Sequence, residues 1–370
     1  MIKILHIADV HLGRRFSDHP EIKDILANAR HETLESIVKL ANERKADILS
    51  IGGDLFERIS VNVSEIQRTT KALNAFTGKA VIVLPGNHDF ITEDSNLWNR
   101  FAGECEDHVI LLRHAEPGNL QEYDLNAIVY PAPCHAKHSE NNVIGWINEI
   151  AKDPELVHIG IAHGSIEGVS PDFEGKYYPM TQKELSDSGV DLWLLGHTHI
   201  TWPEKPGSRD FIFNPGTPEP DGFDCRHEGH AFFITVNEDK EIKAEVLNTG
   251  TYRFVRRIET LENEHDLKNL ASSLTNNNNS RLVLNLIVSG HLDPGQYDGW
   301  KSNIPKLRES VLELRLDDSK LMQRVTAEQI RQEFPEGSFP QRLLSQLNEE
   351  NDEQALQMAY QLIQEAKGED

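Results

Sequence analysis

The opening residues constrain the fold most. Ile2-Lys3-Ile4-Leu5-His6-Ile7-Ala8 is a short apolar run of β-strand type, and Asp9-Val10-His11 follows it without a spacer. In an open α/β sheet, ligands bind just beyond the carboxyl ends of the strands. An Asp and a His two residues apart at such an end can both reach one ion. The layout then recurs. Asp47-Ile48-Leu49-Ser50-Ile51 runs into Gly52-Gly53-Asp54, and Ala80-Val81-Ile82-Val83-Leu84 runs into Pro85-Gly86-Asn87-His88-Asp89. Residues 158–162 lead into His163-Gly164, and residues 191–195 into Gly196-His197-Thr198-His199. Singly, each junction reads equally well as a solvated turn, because Gly and Asn are turn formers. Five in order, each placing a metal-ligand type just after an apolar run, point to one shared centre.

Between these junctions the periodicity predicts helices over residues 21–45 and 64–76. A β-α-β-α-β opening implies parallel strands. Shorter elements follow: strands at 109–112 and 127–130, then a helix at 143–150. Residues 211–214, 231–236 and 243–247 read as strands between Pro/Gly-rich turns, an antiparallel region on the far side of the sheet. The expected organisation is a domain over 1–252, a linker with a helix over 253–279, a small β-α-β domain over 280–325 and a helical tail over 326–370. Within it, the asparagines at 276–279 read as a solvated loop, and Pro335 and Pro340 as interruptions of the tail. The last stretch, 352–366, places Ala355, Met358, Ala359, Leu362 and Ile363 on one helical face. No internal repeat is visible.

Composition narrows the class. With 370 residues, 38% of them hydrophobic, the chain can bury the core of one large domain and a smaller one. No stretch approaches a membrane span, and no secretion signal is expected ahead of the first strand. Cys105, Cys134 and Cys225 are odd in number and far apart, which suits a reducing compartment. A cytoplasmic protein is expected. The formal net charge of −23 argues against tight unaided binding to nucleic acid, which normally needs a basic footprint. It does not argue against a phosphate-ester substrate, since metal ions can bring a polyanion to an acidic protein.

The junctions offer Asp9, His11, Asp54, Asn87, His88, His163, His197 and His199. Carboxylate, amide oxygen and imidazole without thiolate suit Mn²⁺, Fe²⁺ or Zn²⁺ in octahedral-like sites rather than a structural zinc knot. Eight such side chains exceed the needs of one ion. Two ions about 3.5–4 Å apart, sharing a carboxylate, would use nearly all of them.

The motifs Asp-x-His, Gly-Gly-Asp, Gly-Asn-His-Asp, His-Gly and Gly-His-x-His, in this order, resemble the calcineurin-like metallophosphoesterase superfamily. The stretches at 5–13 (Leu-His-Ile-Ala-Asp-Val-His-Leu-Gly), 52–56 (Gly-Gly-Asp-Leu-Phe) and 214–220 (Asn-Pro-Gly-Thr-Pro-Glu-Pro) further resemble SbcD-like DNA repair exonucleases. The likeness runs to about residue 252, and more loosely into that family's capping domain. It implies an α/β sandwich of two mixed sheets flanked by helices, with a small C-terminal α/β cap. It also implies two divalent ions, Mn²⁺ first among them. Asp9, His11, Asp54 and His199 would hold one, Asp54, Asn87, His163 and His197 the other, with Asp54 bridging. His88 would be the non-ligand histidine beside the scissile phosphate. Many of these nucleases carry a second histidine three residues after the bridging Asp, where this chain has Glu57. If Glu57 hydrogen-bonds His88 it would hold that imidazole protonated; a solvated turn residue is the other reading.

The resemblance implies phosphodiester hydrolysis on DNA, together with a coiled-coil ATPase partner of SbcC type. The chain has no Gly-rich loop ending in Gly-Lys-Ser/Thr, so ATP dependence would need a second chain. A homodimer stays open. The alternatives are a phosphoesterase for nucleotides or other small compounds and, last, a non-catalytic scaffold. Weaker candidates are Arg14 and Arg15 on substrate phosphates, Trp202 over the site, the 214–217 turn near the metals, and Cys225-x-His227-x-x-His230 as soft ligands. The amphipathic C-terminal helix could dock on a partner or on its own domain.

Overall fold

Strands buried on both faces read as unbroken apolar runs, and such runs form the middle of this molecule. The computed structural model describes residues 1–92, 96–172, 174–275, 279–350 and 352–368. It divides into two units, Met1–Phe254 and Val255–Asp370. The first unit runs β1 (Ile2–Ile7), α1 (Lys23–Glu43), β2 (Ile48–Ile51), α2 (Val63–Asn74), β3 (Ala80–Val83), α3 (Asn96–Glu104) and β4 (Val109–Leu111). It continues through β5 (Gly118–Asn119), β6 (Ala127–Ala132), β7 (Val157–His163), α4 (Gln182–Asp187), β8 (Leu192–Gly196), β9 (Ile212–Phe213), β10 (His230–Val236) and β11 (Ile242–Asn248).

Two sheets result. One has the order β11-β10-β1-β2-β3-β4, with β1 to β4 parallel and β10 and β11 antiparallel. The other has the order β5-β6-β7-β8-β9, with only β5 antiparallel. Alternation along each strand decides what each face meets. Ile4, Ile48 and Ile82 pack against Val129, Ile159, Ile161 and Leu194, closing the space between the sheets. Leu5, Leu49 and Val81 face outward onto Leu34 and Ile37 of α1 and Leu73 of α2. Trp193 and Leu195 face the other way, onto Leu185 of α4 and Ile147. The unit is therefore a mixed α/β sandwich of two sheets flanked by helices. Ile7, Ile51 and Val83 lie level across the first sheet, as do His163 and Gly196 across the second, so the loops after these strands leave each sheet along one edge.

Three expectations are corrected here. Residues 143–150 hold a short 3-10 turn, Gly145–Glu149, rather than an α-helix. The 211–214 stretch joins the second sheet in parallel with β8, so of the three stretches expected to be antiparallel those at 231–236 and 243–247, within β10 and β11, are. Asn279 is buried and donates to the Leu274 carbonyl rather than lying in a solvated loop. Residues 276–278 of that expected loop lie outside the described residues.

The stretch expected as a linker carries β12 (Arg253–Leu261) and α5 (Glu264–Thr275). Strand β13 (Leu282–Leu292), helix α6 (Pro294–Ser310) and strand β14 (Glu313–Gln323) follow. The sheet order is β12-β13-β14, with β13 and β14 parallel. Leu270, Leu274 and Trp300 from the helices pack on Leu282, Leu284, Leu286 and Val288. Helices α7 (Ala327–Glu333), α8 (Phe339–Glu349) and α9 (Glu353–Gly368) share a cluster of Ile330, Phe334, Leu344 and Leu356. Pro335 falls between α7 and α8, and Pro340 lies in the first turn of α8, where a missing amide costs no helical bond. Among the described residues no helix is long and apolar enough to cross a membrane.

Candidate metal centre

The loops after β1, β2, β3, β7 and β8 converge, and they do so under backbone strain. Asp9, His11, Asp54 and His197 all adopt positive φ, at 56°, 50°, 50° and 95°. For residues with a Cβ this costs on the order of 1–3 kcal/mol each and persists only where the surroundings over-determine it. Main-chain amides supply that determination. His197 N donates to Asp9 Oδ2 at 2.9 Å and His88 N to Asp54 Oδ1 at 2.8 Å. Asp89 accepts Gly86 N at 2.7 Å and Phe56 N at 2.9 Å, tying the third loop to the second. Gly53, at φ +98°, lets His163 close in, since a Cβ there would stand 2.1 Å from His163 Nδ1. The 214–217 turn lies beneath: Thr217 Oγ1 donates to the Asp9 carbonyl at 2.9 Å.

Two groups of donors form, with Asp54 between them. In the first, His11 Nε2 lies 3.1 Å from His199 Nε2, and Asp9 Oδ1 lies 3.9 Å and 3.8 Å from these two nitrogens. In the second, Asn87 Oδ1 lies 3.0 Å from both His163 Nε2 and His197 Nδ1. Asp54 Oδ2 is 3.7 Å from His11 Nε2 and 3.2 Å from His163 Nε2. Asp9, His11, Asp54, Asn87 and His163 are buried. Burial raises the Asp9 carboxyl. It would raise Asp54 as well, but His163, His11 and His88 outweigh it and hold Asp54 below the usual carboxylate range. Burial opposes a charge on His163, yet Asp54 and Asp9 lift it to about 9, while burial and His163 push His197 down to about 3.

The tautomers test whether these residues suit metal ions. His163 Nδ1 donates to the Gly52 carbonyl at 2.8 Å, which in the neutral ring leaves a lone pair on Nε2 facing the oxygens of Asn87 and Asp54. His11 Nδ1 faces Glu57 Oε2 at 3.1 Å, both atoms shut off from solvent. His199 Nδ1 faces Asp221 Oδ2 at 3.4 Å. Protons on those Nδ1 atoms leave two Nε2 lone pairs pointed at each other. Acceptors crowding on acceptors are unfavourable without a cation between them, so the donor set fits divalent ions. Asp9, His11 and His199, and likewise Asp9, Asp54 and His163, are close enough to hold one.

All seven residues expected as ligands are therefore together, and His88 stands beside them, its ring edge-on to His11 at 4.8 Å. Glu57 is placed differently from its expected role. The group on His88 Nδ1 is the Glu57 main-chain carbonyl, at 3.1 Å; the carboxylate approaches His88 only to 4.0 Å and turns to His11 instead. Arg14 is diverted too. It donates to Asp221 at 2.7 Å and lies over the Phe16 ring. Arg15 is exposed. Trp202 packs in the outer core and pairs with Asn214 through the main chain. The Cys225 cluster is occupied elsewhere: His227 bonds to the His199 carbonyl and the Gly229 amide, and His230 to Thr201.

Three residues at the centre were not singled out from the sequence. Arg30 reaches in from α1, fully buried, to bond to the Val10 and Glu219 carbonyls and lie 3.6 Å from Asp221. A charge on the apolar face of an amphipathic helix was its available signal. Asp221 follows the 214–220 stretch with nothing local to mark it. Tyr177 has no sequence signal either; its ring lies 5.0 Å from His197 and 5.0 Å from the exposed His138.

The sequence is similar to known proteins. The calcineurin-like phosphoesterase family profile matches residues 2–201, over half of the 370. A DNA double-strand break repair protein Mre11 from Saccharolobus solfataricus is 24% identical over 304 residues, 78% of this chain and 76% of that one. The Mre11 protein of Methanopyrus kandleri is 24% identical, covering 59% and 49% of the two chains. An uncharacterised metallophosphoesterase, YhaO of Bacillus subtilis, is 26% identical, covering 54% and 48%. The chain thus spans about half the length of these last two relatives. A solved structure, TT1561 of Thermus thermophilus, is 13% identical and aligns over 67% of this chain and 99% of that one with a TM-score of 0.38. Donors that suit divalent ions and a family match across more than half its length lead to one conclusion: this chain belongs to the calcineurin-like phosphoesterase family and is a metal-dependent phosphoesterase.

Proposed function

We propose that the chain hydrolyses phosphodiester bonds in DNA with two divalent ions, Mn²⁺ by preference, as an SbcD-type nuclease working with a coiled-coil ATPase of SbcC type. The observation that carries the reading is Asp54 Oδ2 standing between two donor groups, 3.7 Å from His11 and 3.2 Å from His163. Asp9, His11 and His199 would hold one ion, Asn87, His163 and His197 the other, with Asp54 shared. When bound, the pair supplies Lewis-acid activation of water and of the phosphoryl oxygens. The chain's own part is positioning and proton transfer. The Glu57 carbonyl fixes His88 Nδ1, which turns Nε2 of this one-third-exposed ring toward the substrate, where it stabilises phosphorane-like charge or protonates the departing oxygen. Tyr177 beside His197, with His138 beside Tyr177, offers aromatic faces for a base adjoining the scissile phosphate. The resemblance to Mre11 repair proteins supports DNA over other esters. The partner would contribute the basic surface that a chain of net charge −23 lacks.

That same charge favours a second reading, a phosphoesterase for nucleotides or other small compounds. The deciding assay sets linear and hairpin-ended DNA with Mn²⁺ beside a panel of nucleotide phosphodiesters, for the native chain and His88→Asn. Loss of DNA cleavage in the variant by about 10²-fold or more, with retained Mn²⁺ and little small-ester turnover in the native chain, is the expected result. Fast small-ester turnover with intact DNA would replace the substrate assignment.

A further inference from the structure

We infer that the two metal positions are held with unequal strength, and that Glu57 and Asp221 set the difference as positioning residues behind His11 and His199. The inference rests on the two-ion reading above. At both positions an imidazole turns one nitrogen to the donor group, and what its other nitrogen touches differs. His11 Nδ1 faces Glu57 Oε2 at 3.1 Å, and His199 Nδ1 faces Asp221 Oδ2 at 3.4 Å. His163 Nδ1 bonds instead to the neutral Gly52 carbonyl at 2.8 Å. A carbonyl fixes tautomer and ring orientation; a carboxylate does both and also strengthens the far nitrogen as a donor. Charge count runs the same way: Asp54 and Asp9 reach both positions, Glu57 and Asp221 stand directly behind the rings of the first, and the second adds the neutral Asn87 oxygen, with Asp172 acting on His197. Asp221 is itself held, by Arg14 at 2.7 Å and Arg30 at 3.6 Å, so its carboxylate is aimed before any ion arrives.

The test is a titration of the metal-free full-length chain with Mn²⁺, followed by calorimetry and by the electron paramagnetic resonance of unbound Mn²⁺. Two steps are expected. His199→Asn should remove the tighter and His197→Asn the weaker, which assigns them. Asp221→Asn and Glu57→Gln should each weaken the tighter step by roughly 10–100-fold and leave the weaker one in place. Glu57 is 25% exposed and stands behind His11 rather than His199, so its variant decides the matter if Asp221→Asn does not fold. Two equal steps, loss of the weaker step in His199→Asn, or both steps shifting together in both variants would overturn the inference alone. A native chain that binds no Mn²⁺ would overturn the two-ion reading along with it.

Discussion

Both carboxylate oxygens of Asp89 accept main-chain amides, one from Gly86 and one from Phe56, so a single side chain sets the spacing between the Asn87 and Asp54 loops. An amide at this position would turn an N–H donor on one of those amides. Asp89→Asn should therefore cost about 1–3 kcal/mol, the penalty for a buried unpaired donor, read from the urea midpoint. Mn²⁺ affinity should fall as well, because Asn87 and Asp54 no longer hold register. The same scale explains the division of labour at Glu57. Its main chain serves His88 and its side chain serves His11, because the turn brings the carbonyl to 3.1 Å of one ring and the carboxylate to 3.1 Å of the other.

Helix α1 does more than cover the first sheet. Its buried face carries Leu26, Leu34, Ile37 and Val38 for the core and, among them, Arg30. The guanidinium reaches the Val10 carbonyl between Asp9 and His11, the Glu219 carbonyl and the Asp221 carboxylate. Arg30→Met keeps much of the volume and abandons all three. We expect a loss of about 3 kcal/mol in chemical denaturation, since the buried Val10 and Glu219 carbonyls lose their guanidinium donor and Asp221 keeps only Arg14. Arg30→Lys should recover only part of it, because one ammonium cannot span two carbonyls. Glu219 makes a similar tie through hydrogen bonds. It accepts Thr33 Oγ1 from α1 and the amides of Thr251 and Tyr252, anchoring the end of the first unit to its first helix.

Across the sandwich, the two sheets are locked by a buried histidine as well as by apolar contact. His6 of β1 accepts Ser50 Oγ at 3.2 Å through Nδ1 and donates Nε2 to the Leu195 carbonyl of β8 at 2.9 Å. Burial lowers its pKa to about 4. The unfolded chain takes up that proton near pH 6.5 while the folded chain refuses it until about 4. The unfolded state binds more protons over that window, so stability rises with pH through it and is lost as pH falls. The contribution is on the order of 3 kcal/mol between the two limits. His6→Gln should flatten that part of the stability–pH curve in denaturant titrations, whereas an unchanged slope would assign it to other groups.

The local sequence determined the five strand-to-loop junctions, because a strand buried on both faces must be an apolar run and a parallel sheet presents its carboxyl ends along one edge. Asp9, His11, Asp54, Asn87, His163, His197 and His199 were legible for that reason. What surrounds them was not. Whether Glu57 turns to His88 or His11, whether Arg14 meets a phosphate or Asp221, and that Arg30 lies under the Asp9–His11 loop depend on distances between segments up to about two hundred residues apart in the chain. Such pairings carry no local pattern. They are decided by which long side chains the packed sheets leave within reach of one another, and by the need of each buried charge to find a partner. Only the tertiary structure settles that.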